Sequence, residues 1–142
     1  MADQEILVRT VFSKFKVGSD GDQTPASFRV DPLKRGLSVD RLKYLNDNSL
    51  VSSKREDPRY EGYLRFTGAS CSSVRSLLHN EHRLFCVYDS GTKNNPYHAD
   101  ICQNLNLGGV ENRRLKMKRF RWQLWKTFSE LKEFPSELLK SQ

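Results

Sequence analysis

Apolar and polar positions alternate almost from the first residue. In the segment 5–15, Ile6, Val8, Thr10 and Phe12 fall on one side of an extended chain and Leu7, Arg9 and Val11 on the other. β-branched and aromatic types dominate here, so the pattern predicts a first strand. Residues 17–27 carry Gly, Asp, Gln, Thr and Pro with almost no apolar anchor, as a flexible, exposed loop does. Ser27–Val30 suits a short strand that must stop at Asp31-Pro32, because proline removes a ladder donor. Gly36 marks a turn, and residues 40–46 suit a short helix with Leu42 and Leu45 inward and Ser38 or Asp40 near its N-cap. The polar run 47–61, with Ser52-Ser53-Lys54-Arg55-Glu56-Asp57-Pro58 at its heart, predicts a second flexible loop.

Gly62–Gly68, with Tyr63, Leu64, Phe66 and Thr67, predicts another strand. Ser70 or Ser72 can cap a helix through Leu78 that buries Val74, Leu77 and Leu78. Leu84–Tyr88 is the strongest apolar run and predicts a central strand. Ser90–Pro96 is a turn, and Tyr97–Leu107 fits strand or helix equally. Gly108-Gly109 breaks the chain before a long helix, about 111–133, ended by Phe134-Pro135. This order predicts an α+β domain spanning 1–142: a small mixed or antiparallel sheet packed by two or three helices, with a long C-terminal helix.

Composition narrows the class. Apolar residues make up 37% of the chain and aromatics 11%, lean for a globular protein but too aromatic for a wholly disordered one. No apolar run approaches the roughly 18 residues of a membrane span. The acidic start, Met1-Ala2-Asp3-Gln4-Glu5, lacks the basic and apolar regions of a signal peptide. Cys71, Cys86 and Cys102 are odd in number and widely spaced, which suits reduced thiols rather than a disulfide framework. Together these features predict a cytoplasmic chain that makes no membrane contact. His79 and His82 match no structural-zinc spacing with the cysteines, and no Gly-rich phosphate loop or Gly-x-Ser-x-Gly elbow is present, so no metal and no cofactor are expected.

Charge changes the picture more. The net charge is +7, and the stretch 113–126 holds seven basic residues and no acidic one; the rest of the chain has 17 basic against 17 acidic. A local patch of one sign predicts a partner of the other. At about 100° per residue, Met117, Phe120, Leu124, Phe128 and Leu131 form one apolar stripe of the terminal helix. The adjoining face interleaves Arg114, Lys118 and Arg121 with Trp122 and Trp125, the protein's two tryptophans. Cations meet phosphates and indoles stack on unpaired bases, so these five residues are the candidate nucleic-acid contacts. The plainer alternative is that the indoles widen the core contact beneath Lys and Arg stems.

A second candidate is Asn94-Asn95-Pro96-Tyr97-His98-Ala99-Asp100. On a strand, His98 and Asp100 point to the same side, where a carboxylate can hold an imidazole as general acid or base. Arg9, or Arg29 and Ser38, could supply an anion contact and a hydroxyl. The alternative is a hydrogen-bonded turn histidine. Three functions follow: an RNA- or DNA-binding module, as a subunit of a larger complex or alone; a small enzyme acting on a phosphate-bearing substrate through His98, Asp100, Arg9 and Ser38; or an inhibitor-like module whose tryptophans anchor an acidic protein surface. Sequence leaves the presence of catalysis open.

Overall fold

The computed structural model describes residues 3–14, 17–22, 24–28, 36–79, 81–104 and 121–139. Its centre is an antiparallel sheet of five strands: β1 (Ile6–Val11), β2 (Leu37–Arg41), β3 (Arg65–Ser70), β6 (Phe85–Asp89) and β7 (His98–Gln103), in the order β3-β1-β2-β7-β6. A short hairpin of β4 (Leu78–His79) and β5 (His82–Arg83) precedes β6. The helices are α1 (Asp47–Arg55), α2 (Cys71–Arg75) and α3 (121–127). The architecture is α+β. Among the described residues no helix is long and apolar enough to cross a membrane.

Because strand side chains alternate, the register sorts the sheet into two faces. Leu7, Leu37, Val39, Ala69, Phe85, Ala99 and Ile101 share one face, and it packs on Cys71 and Val74 of α2, Leu124 of α3 and Phe128 just after it. Phe28 completes this core against Phe128, ring centroids 5.0 Å apart. On the opposite face, Ile6, Val8 and Phe66 meet Leu50 of α1 with Leu42, Leu64 and Leu138. That second core covers β1 and β3. Over β2, β7 and β6 the same face presents Ser38, Asp40, His98, Asp100, Cys102, Cys86 and Tyr88.

The sequence pattern places β1 and the Ser70 cap of α2 correctly; Ser70 Oγ accepts from the Ser73 amide. The open choice at 97–107 resolves as a strand over His98–Gln103. Elsewhere tertiary structure redraws the elements. Residues 40–46 do not form a helix: β2 runs through Arg41, held opposite Leu7, and one 3-10 turn follows at Leu42–Tyr44. The expected loop 47–61 begins instead with α1, whose Asn46 cap accepts from the Ser49 amide while Ser49 Oγ accepts from the Asn46 amide. Ser27 and Phe28 end a 3-10 turn, Pro25–Phe28, and the other half of the expected strand, 29–30, lies outside the described residues. α2 stops at Arg75 and Leu78 is exposed, because Leu77 gives its carbonyl to the Leu84 amide and the chain turns into the hairpin. The apolar run 84–88 is a strand but not a central one: among the described residues β6 is the end strand of the sheet, and its burial fades from Phe85 to Asp89.

The C-terminal helix ends earlier than expected: residues 121–127 are helical and residues 128–133 leave the helical path, while 111–120 of the expected helix lie outside the described residues. Competing hydrogen bonds along β3 explain the exit. The Ser129 amide donates to the Gly68 carbonyl at 2.9 Å, Thr67 Oγ1 donates to the Ser129 carbonyl at 2.6 Å, and Phe66 and Lys132 exchange amide–carbonyl bonds in both directions. The chain thus seals the outer edge of β3, and Leu131 leaves the stripe that Leu124 and Phe128 keep.

Candidate functional site

α3 is amphipathic within its seven described residues: Leu124 and Phe128, just past its end, are buried, while Trp122 and Lys126 point away from the sheet. Trp122 is 52% exposed. Trp125 is half-buried, packs against the main core and receives Trp122 edge-on, with ring centroids 5.3 Å apart and planes at 87°. Edge-to-face contact suits the ring quadrupoles and leaves a face of the outer indole accessible. Arg121, half-buried, and Lys126, exposed, form no ion pair among the described residues. Arg114 and Lys118 lie outside the described residues, so of the five expected contacts three are placed: Arg121, Trp122 and Trp125.

The His98 group assembles in part. β7 puts His98 and Asp100 on one face, Ser38 opposite Asp100 and Asp40 opposite His98. His98 Nδ1 shares a 2.7 Å hydrogen bond with Ser90 Oγ, and Asp100 Oδ2 stands 3.9 Å away. Serine, not aspartate, is therefore the nearest group fixing the ring. Asp40 is taken up by Lys54 of α1 at 2.8 Å. Arg9 meets Ser38 through the backbone: its Nη1 donates to the Ser38 carbonyl at 2.8 Å. Arg29 lies outside the described residues. A general base needs a substrate cavity beside it. The concavity at Arg9 is lined by Arg9, Thr10, Val11, Phe12, Ser13, Arg59 and Glu61, without His98.

That concavity holds a residue the sequence reading passed over. Arg59 follows Asp57-Pro58 in the polar run taken for a loop, and a turn brings its guanidinium back onto Asp57, Nε to Oδ1 at 3.0 Å and Nη2 to Oδ2 at 2.9 Å. The same guanidinium lies over the Phe12 ring, 4.6 Å from its centroid. The hydrogen bonds from Arg59 hold the Asp57 carboxyl far below the usual range, at about 2. The one signal available beforehand was the Asp-Pro-Arg spacing itself, since Asp starts turns readily and a following cation two residues on can chelate it.

Comparisons with protein-family models, with curated proteins and with solved structures return no match.

Proposed function

We propose that this chain is a nucleic-acid-binding module that engages an unpaired strand of RNA or DNA through the basic, tryptophan-bearing segment 113–126. The observation that carries the reading is Trp122, a large aromatic left 52% exposed although its neighbour Trp125 is anchored in the core. Leaving an indole in water forgoes burial worth roughly 25 cal/mol per Å². Stacking on a base recovers about 1–3 kcal/mol. The surrounding charge points the same way: all of the +7 excess lies in 113–126, and Arg121 beside the indole pair has no carboxylate partner among the described residues. Each phosphate so met releases counterions and steepens the salt dependence by roughly 0.7 per contact on a single strand.

The test is a titration of a fluorescent single-stranded oligonucleotide at two salt concentrations. Binding that quenches tryptophan, weakens with salt and falls about 5- to 100-fold in Trp122→Ala supports the reading. No binding even at low salt ends it, and binding untouched by Trp122→Ala moves the contact elsewhere.

A further inference from the structure

We propose that the cleft between Arg9 and Arg59 is a binding site for a compact phosphate-bearing small molecule. β1 pairs with β2 only at Leu7↔Arg41 and Val8↔Asp40, so beyond Val8 the two strands separate. Arg9 reaches across that gap to the Ser38 carbonyl. From the other side Arg59 is paired with the Asp57 carboxylate and lies over the Phe12 ring. Asp57 occupies Nε and Nη2, which leaves Nη1 of Arg59 with no hydrogen bond among the described residues. Between the two guanidinium groups lies a cavity of about 330 Å³, within the range of small-ligand sites.

Two further observations say what belongs there. Thr10 lines the cavity, and its Oγ1 is buried with no hydrogen-bond partner among the described residues. Such an orphan hydroxyl is costly unless a ligand or water completes it. Secondly, Arg9 is held at a cost: burial first, then the charge on Arg59, lower its pKa to about 10, against a smaller opposing pull from Asp40. Two cations that repel across a cleft are relieved by an anion between them. Guanidinium donors on two sides and a hydroxyl on a third suit the several oxygens of a tetrahedral phosphate better than a planar carboxylate. Glu61, exposed at the mouth, would repel a bare anion but accept from a hydroxyl next to the phosphate. The chemistry therefore favours a hydroxyl-bearing phosphate monoester, and it uses no residue of α3.

Titration of the full chain with inorganic phosphate and with a pentose phosphate, followed by amide and arginine Nε resonances, tests this. A sugar phosphate without a base cannot stack on Trp122, so this result and the oligonucleotide result fail independently. Expected are shifts at Thr10–Ser13 and at both arginines, and tighter binding of the ester than of phosphate. Arg59→Gln should weaken binding about tenfold or more and Thr10→Val several-fold, while Trp122→Ala leaves it unchanged. Thr10→Val keeps the shape and removes an unsatisfied hydroxyl, so it folds at least as well as the parent and reads the site even if Arg59→Gln does not fold. No shifts up to tens of millimolar ligand, or a folded Thr10→Val that binds as tightly as the parent, overturns the proposal.

Discussion

Arg41 shows how much one side chain can organise. Its Nε and Nη2 meet both oxygens of Glu5, and Nη1 reaches Asp89 Oδ2 at 3.0 Å, so the starts and ends of β1, β2 and β6 converge on a single guanidinium. Its planar fork is made for such bidentate work, and the hydrogen bonds it donates to Glu5 keep it firmly charged. The Glu5 side chain is 1% exposed and that of Asp89 56%, which separates two otherwise similar ion pairs. Glu5→Gln takes the buried carboxylate from Arg41, leaving it the exposed Asp89, and should cost about 3 kcal/mol in urea unfolding. Asp89→Asn should cost well under about 1 kcal/mol, because water already screens that pair. Equal losses in the two variants would mean that burial is not what sets the cost. Residues of this kind are poorly legible in sequence. Glu5 reads as one more polar residue of an acidic terminus, and Arg59 hides in a polar run; both gain their meaning from partners that only the folded chain supplies. His98 and Asp100 were legible as a same-side pair because strand alternation alone fixes that relation, whereas the serine that holds the imidazole comes from the preceding strand's end.

At the scale of elements, local pattern worked where burial on one face imposed a period and failed where a single anchor sufficed. β1 is covered on both faces and carries apolar residues at successive positions, so it was plain. α1 buries only Leu50 among nine residues, and an apolar period cannot be read from one point. What starts this helix is the reciprocal Asn46–Ser49 cap, a signal carried by polar residues. Asn46→Ala removes it and should cost about 1 kcal/mol of stability, measured by thermal or urea unfolding. A loss near zero would instead assign α1 to its tertiary contacts, among them Asp47, whose carboxylate accepts from the Ser136 amide and hydroxyl. The opposite error occurred after Phe128. Helical spacing of apolar residues continues to Leu131, yet hydrogen bonds to β3 outcompete another turn of helix, and no property of the segment alone reveals that an open sheet edge is waiting for it.

The molecule as a whole is uneven in its coverage. One face of the sheet is packed along its width; the other is packed over β1 and β3 and polar over β2, β7 and β6. The α+β class was readable from the order of elements, but the strand order was not, because β2 and β7 join across a long stretch of chain and nothing local encodes that pairing. The uneven face has a chemical consequence for two sulfur atoms. Cys86 and Cys102 are direct cross-strand partners there, both free and neither fully buried, whereas Cys71 is sealed in the main core. Antiparallel partners stand about 4.5–5.5 Å apart at Cα, a separation that a disulfide spans. Hydrogen peroxide should therefore staple β6 to β7, two thiols and one peroxide giving one disulfide and two waters, with a mass loss of two hydrogens that Cys102→Ser abolishes. Burial, Asp100 and Cys86 all push the Cys102 thiol above its ordinary range, so the reaction should be slow at neutral pH and still accelerating as pH passes 9. Peptide mapping that finds Cys71 in the bond, or no bond at all under alkaline peroxide, would show that these two strands do not hold their sulfurs within reach of one another.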